Sequence, residues 1–240
     1  MNKSTLDNKK HKNIVGTVVF VILPLIVVLW AIFLKGEHLE ILLVFMAVLT
    51  VAPLFINFEK ENHSSKELVI IATMLAISVA SRFLFAPLPS FKPVTAVVII
   101  TGIYLGGKAG FVVGSLTPLI SNMYFMQGMW TPLQMLVWGF IGLLAGVLSL
   151  KIANSKLKIC IFGVLSGVAY SLIMDLWSTI WYDSFINIDR YFALVITSLP
   201  ILITYAVSNV IFLLCLCKPI GKKLERIKVK YGIGEDMKNR

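Results

Sequence analysis

The sequence has little charge, few cysteines and none of the motifs of nucleotide chemistry. Charged residues make up 14% of the chain and apolar residues 58%, whereas about a quarter of a soluble domain is charged. The three cysteines, Cys160, Cys215 and Cys217, lie within or at the end of apolar runs, and their odd number and spacing argue against a disulfide framework, a redox motif or a zinc site. No GxxxxGK[ST], GxGxxG or HExxH pattern occurs, so the chain has no visible means of hydrolysing ATP.

Long apolar runs dominate the rest of the sequence and indicate a protein that crosses a membrane. We predict an all-α integral membrane protein with about eight transmembrane helices, and neither a resident cofactor nor a metal site. A tail of residues 1–13 precedes two helices within residues 14–58, six more helices lie within residues 67–217, and residues 218–240 form a basic tail. The six are predicted at residues 67–85, 93–105, 109–122, 133–150, 159–181 and 191–217.

Two of these spans are unusually short. Residues 93–105 and 109–122 give about 20 Å of helix each, less than a hydrocarbon core of about 30 Å. Such helices need shielding by protein or a cavity. A tight turn at Gly106, Gly107 and Lys108 joins them, and the loops 86–92 and 121–132 flank them. We therefore expect a binding site near these loops.

The basic residues predict the orientation in the plasma membrane. With both termini in the cytoplasm, all but four of the 22 Lys and Arg fall in cytoplasmic tails and loops, as topology determinants do. Because the positive charge lies between apolar runs and not in a stripe with aromatics, nucleic-acid binding is not expected. The loops 86–92, 121–132 and 182–190 then face outward.

Arg82 and Asp175 are the charged residues deepest in apolar runs and are candidates for ligand contact. The structural alternatives are an ion pair between them, or an Arg82 side chain that reaches the outer interface. The Met-rich and aromatic loop 121–132 suits a large organic ligand. An interfacial aromatic belt is the alternative reading of its rings and of Trp177 and Tyr182.

Three alanines, Ala72, Ala76 and Ala80, follow one another at a spacing of four. Such a stripe lets two helices approach closely in lipid. The alternative reading is packing inside the same chain. From this stripe onward the chain resembles the S components of energy-coupling factor (ECF) vitamin transporters, and the resemblance extends to about Cys217. It is carried by the stripe, the proline-rich segment 87–96, the Gly-Gly-Lys turn, and the segments 114–122 and 127–135.

The resemblance implies a six-helix substrate-binding core preceded by two extra helices. It also implies a substrate-capture subunit that binds a vitamin from outside and docks on a coupling protein with two ATPases. Within the family the chain is most similar to cobalamin (corrinoid) S components. The candidate substrate-binding residues are Arg82, Phe91, Lys92, Asn122, Tyr124, Phe125, Gln127, Trp130, Asp175, Trp177 and Tyr182, and the candidate partner-docking residues are Ala72, Ala76 and Ala80.

Two other classes compete with this reading. A stand-alone secondary transporter of a small organic solute would need acids near the bilayer midplane, for which Asp175 is the one candidate. An intramembrane enzyme would need a nucleophile and a base. Ser171 lies one turn before Asp175, but no histidine lies within a span, so a transporter subunit and not an enzyme is expected.

Overall fold

The computed structural model describes residues 65–231, and every regular element within them is a helix. The predicted helices within residues 14–58, the tail of residues 1–13 and the end of the basic tail lie outside the described residues. The helices are α1 (Ser65–Leu84), α2 (Val94–Leu105), α3 (Gly107–Phe125), α4 (Trp130–Val147), the single turn α5 (Ser149–Ile152), α6 (Lys156–Asp183) and α7 (Ile188–Tyr231).

Several of these helices are built to cross a bilayer. The helices α1, α4, α6 and α7 are each long and apolar enough to do so, and α2 is a shorter apolar helix. The predicted all-α membrane class is confirmed, and apart from α5 each described helix lies where the sequence predicts a helix of the core. A total of eight spans stays a prediction.

The short helix α2 forms the centre of the bundle. Its residues 94–102 are all buried, because α1, α3, α4, α6 and α7 all contact it. At 12 residues, about 18 Å, the helix is shorter than a hydrocarbon core of about 30 Å, so its backbone ends need protein around them. Neighbouring helices therefore shield the short predicted span at residues 93–105, as the sequence required.

Helices α3 and α4 pack closely through glycines. An added Cβ on Gly142 would lie 2.3 Å from the carbonyl oxygen of Gly110, and one on Gly114 would lie 2.3 Å from that of Trp138. Backbones approach this closely only where side chains are absent. The glycines therefore serve tight internal packing, as the sequence predicts.

We expect Gly142→Ala to destabilise the bundle, because its new methyl group meets backbone that cannot move aside. Overpacking of this kind costs about 1–3 kcal/mol, measurable by thermal unfolding in detergent. The matched control is Gly163→Ala, whose Cβ would meet chiefly the flexible end of the Leu213 side chain. Equal destabilisation by the two variants would contradict the packing argument.

The structure corrects the predicted boundaries around the short spans. Gly106 alone separates α2 from α3, with a positive φ of 95° that favours glycine, so Gly107 and Lys108 belong to α3 and not to a turn. Helix α3 also continues through the predicted loop 121–132 as far as Phe125. With 19 residues, α3 is longer than the predicted span at residues 109–122.

Helix α7 differs from its prediction at the C-terminal end. The apolar run stops near Cys217, but the helix continues through the basic segment to Tyr231. Leu224 and Gly221 in this extension are buried, so it packs against the bundle. The predicted boundary at residues 217 and 218 followed hydropathy, which marks a change of environment and not the end of a helix.

Candidate functional site

Arg82 is the centre of a polar cluster at one end of the bundle. It stands in the last turn of α1 and is only 7% exposed. Its guanidinium donates hydrogen bonds to Oγ of Ser121 and, at 2.8 Å, to Oδ1 of Asn122. Both partners lie near the end of α3, so the buried arginine ties two helices together.

The predicted alternative of an ion pair between Arg82 and Asp175 is wrong. The Asp175 carboxylate instead accepts a hydrogen bond of 2.5 Å from Oγ of Ser198 on α7. Within residues 65–231, neither Ser121 nor Asn122 supplies a negative charge for Arg82. A buried guanidinium held only by neutral groups favours a further, electron-rich partner.

Aromatic rings surround this arginine. Its Cζ lies 5.0 Å from the ring centroid of Phe125 and 5.4 Å from that of Trp138. Nζ of Lys92, in the loop before α2, lies 4.8 Å from the same Phe125 ring. Burial lowers the pKa of Lys92, and the like charge of Arg82 lowers it further. Two cations thus share one aromatic ring, which attracts each of them while their like charges repel.

A chain of hydrogen bonds continues from Asn122 into the bundle. Its Nδ2 donates to Oγ1 of Thr131 and to Oε1 of Gln134, at 2.9 Å each. Nε2 of Gln134 donates to the hydroxyl of Tyr170 at 2.9 Å. The Tyr170 ring stacks on Trp138 with centroids 5.1 Å apart, so the chain returns to the rings around Arg82.

Two hydrogen-bond donors in this cluster have no partner among the described residues. They are Nε of Arg82 and the indole Nε1 of Trp138, whose side chain is 4% exposed. The third buried polar atom without a partner is Oδ1 of Asn209. Unpaired buried donors cost about 1–3 kcal/mol each. Adjacent unpaired donors beside aromatic rings are suited to a flat ligand with acceptor atoms.

The cluster unites four of the residues predicted from the sequence. Arg82, Lys92, Asn122 and Phe125 lie together, and Tyr124 joins them at the rim, 70% exposed. Tyr124 packs on Phe125 with ring centroids 5.2 Å apart.

Other predicted residues lie outside the cluster. Phe91 packs against Phe212 of α7, with centroids 5.1 Å apart. Nε2 of Gln127 donates to the Leu119 carbonyl at 2.7 Å. Trp130 is the first residue of α4. Its ring occupies the space that a side chain in place of Gly128 would need.

Trp177 and Tyr182 on α6 also take different positions. Trp177 is buried and its Nε1 donates to the Met129 carbonyl at 3.1 Å, so it supports the loop between α3 and α4. Tyr182 is exposed, as an interfacial tyrosine would be. Neither residue belongs to the Arg82 cluster.

Sequence reasoning missed five members of the cluster: Ser121, Thr131, Gln134, Trp138 and Tyr170. One signal was available for the α4 residues. Trp130, Gln134 and Trp138 are spaced by four, so they share one helix face, and Gln134 is an amide in an otherwise apolar helix. Nothing comparable in the sequence points to Tyr170, because an aromatic residue in an apolar run is ordinarily predicted to be a core residue.

Helix α1 presents its alanines on the face opposite the core. Ala72, Ala76 and Ala80 are exposed, whereas Met74 and Ser78 are buried. Oγ1 of Thr117 donates to Oγ of Ser78 at 2.9 Å and holds the buried face against α3. Among residues 65–231 nothing covers the alanine stripe, so packing inside this core does not account for it.

An enclosed bundle of apolar helices with a polar, aromatic cluster at one end defines a multi-pass membrane protein with a candidate site for a small organic ligand. Residues 62–222 match the sequence model of the family described as ECF-type riboflavin transporter, S component. The chain belongs to this family, whose members are transporter subunits and not enzymes. Neither the curated proteins nor the solved structures contain a match to the chain.

Proposed function

We propose that this chain captures a vitamin from outside the cell at the Arg82 cluster and passes it inward. The observation that carries the proposal is a pair of buried donors without a partner among residues 65–231, Nε of Arg82 and Nε1 of Trp138. Riboflavin is the first candidate ligand. Its planar ring system stacks on aromatics and carries carbonyl oxygens and ring nitrogens that accept hydrogen bonds. The description of the matching family names the same vitamin.

Cobalamin, the vitamin predicted from the sequence, is the second candidate. The observation that favours it is the rim of the cluster, where the side chains of Met123 and Met126 are exposed. Flexible thioethers adapt to large, irregular ligands, and a corrinoid is much larger than a flavin.

The proposal includes a partner. An S component works with an energy-coupling module, for which we propose a coupling protein and two ATPases. The exposed stripe of Ala72, Ala76 and Ala80 is the proposed docking face, because small side chains permit close helix contact in lipid. Cytoplasmic termini, predicted from the basic residues, would place the Arg82 cluster on the outer side.

A stand-alone secondary transporter is less well supported. It requires an acid that can take up and release a coupling ion. The candidate Asp175 already accepts a short hydrogen bond from Ser198.

We expect the full-length chain, purified in detergent, to bind riboflavin saturably at one molecule per chain. Stacking on aromatic rings quenches flavin fluorescence, so a fluorescence titration reports binding directly. Thiamine serves as the vitamin that should not compete. If cobalamin alone binds, the capture role stands and the ligand assignment changes. If a folded sample binds neither vitamin, the proposal fails.

A further inference from the structure

A cavity of about 320 Å³ lies at the end of the bundle opposite the Arg82 cluster. Helix α2 begins beside Lys92 of the cluster and ends at the cavity, and its 12 residues span about 18 Å. The cavity therefore cannot be part of the Arg82 site. Its principal lining residues are Tyr104, Lys156, Leu214, Lys218, Lys222 and Glu225.

The position of Tyr104 in the cavity wall is fixed by contacts on two sides. An added Cβ on Gly221 would lie 2.2 Å from Cζ of Tyr104, so the tyrosine ring fills the space that a side chain on α7 would occupy. Nζ of Lys228 donates to the Tyr104 carbonyl at 2.9 Å. These contacts join α2 to α7 and keep the wall in place.

The cavity carries a net positive charge. Lys156, Lys218 and Lys222 line it against one acid, Glu225. Within residues 65–231, none of the three lysines forms an ion pair with a carboxylate. Three ammonium groups around one concave space favour an anion with several oxygens, of which a phosphate is the commonest in a cell.

Apolar surface leads away from the lysines. Leu157 and Ile161 on α6 are exposed, and so are Ile211 and Leu214 on α7, where Leu214 itself lines the cavity. In a helix that crosses a membrane, such exposed side chains face lipid tails. A soluble anion would make no use of them, whereas a lipid would place its acyl chains along them.

We propose that this cavity binds the phosphate headgroup of an anionic membrane lipid, with phosphatidylglycerol as the model compound. The lysines hold the phosphate and the apolar faces of α6 and α7 receive the acyl chains. Basic pockets between transmembrane helices recognise anionic headgroups by this combination of charge and apolar contact. The bound lipid would fix this end of the bundle at the membrane interface.

The test is a titration of the full-length chain with single lipids in neutral detergent at 0.15 M salt, followed by native mass spectrometry. We expect phosphatidylglycerol to bind at least about tenfold more tightly than phosphatidylcholine, because the latter has a zwitterionic headgroup. The triple variant Lys156→Gln, Lys218→Gln, Lys222→Gln should lose this preference. The matched control, Lys151→Gln, Lys158→Gln, Lys223→Gln, removes the same charge from the same end but outside the cavity. It should change affinity by less than about twofold, since none of its lysines lines the cavity and salt weakens the attraction of exposed charges that do not contact the phosphate.

A further variant keeps the test decisive if the triple variant of the cavity lysines does not fold. Glu225→Gln removes the one acid of the cavity and should tighten phosphatidylglycerol binding by about two- to fivefold, through loss of a like-charge repulsion. No change in that variant would overturn the proposal, as would equal losses in the two triple variants. Inorganic phosphate that displaces the lipid at equal concentration would identify a site for a soluble anion instead.

Discussion

Arg82→Ala should lower the affinity of the purified chain for riboflavin by about 100-fold. The variant removes the donor Nε that has no partner among the described residues and the cation beside the Phe125 and Trp138 rings. A hydrogen bond to a charged group contributes up to about 3 kcal/mol, which corresponds to roughly two orders of magnitude in affinity. The fluorescence titration measures the change.

Two further variants separate ligand contact from structural support. Arg82→Lys keeps the positive charge but not the planar fork of donors, so we expect it to restore only part of the affinity. Arg190→Ala removes an arginine whose partner is Asp183 and not a member of the Arg82 cluster, so it should leave binding unchanged. Wild-type affinity in a folded Arg82→Ala sample would place the vitamin elsewhere and leave Arg82 as a tie between α1 and α3.

The architecture of the core was largely predictable because the bilayer imposes a simple rule. A helix must be apolar for the length of the hydrocarbon region, and the described helices follow the apolar runs. The ends were less predictable. Gly107 reads as a turn residue in sequence, yet it is the first residue of α3, where an added Cβ would lie 2.8 Å from the carbonyl oxygen of Leu143. Which of two adjacent glycines interrupts the helix depends on packing against the partner helix, and the local sequence does not reveal that packing.

The candidate site was predictable where a residue was costly to place in a membrane. Arg82, Lys92 and Asn122 are polar groups beside or within apolar runs, and the structure brings them together. Trp138 and Tyr170 could not be found in this way, since aromatic rings are common in any apolar core. Asp175 accepts a hydrogen bond from Ser198 on a neighbouring helix, and sequence spacing carries no sign of that contact.

Helix α1 connects the two surfaces that an S component needs. Its buried face ends in Arg82 within the cluster, and its exposed face carries Ala80 only two residues earlier. A partner that moves α1 on docking would also move the Arg82 guanidinium relative to Ser121 and Asn122. Docking on α1 would then give the proposed coupling module a direct mechanical route to a vitamin held at the proposed site.

Ala76→Trp should abolish vitamin uptake in cells that also carry the coupling module, while vitamin affinity of the isolated chain stays within about twofold of wild type. A tryptophan in the middle of the stripe would hold a partner helix several ångströms away, which removes the close packing that small residues permit. The α1 face that packs on α3 is unaffected, because Ala76 is exposed on the other side. Uptake of labelled riboflavin and the fluorescence titration measure the two quantities separately.

The matched control for this variant is Ala169→Trp. Ala169 is an exposed alanine in the middle of α6, beside the exposed Leu165 and Ile173, so the same ring is added to a lipid-facing surface outside the stripe. Uptake and binding should both survive there. If Ala76→Trp weakened binding as strongly as uptake, the stripe would belong to the folded core, and if Ala169→Trp also abolished uptake, docking would involve more than the α1 face.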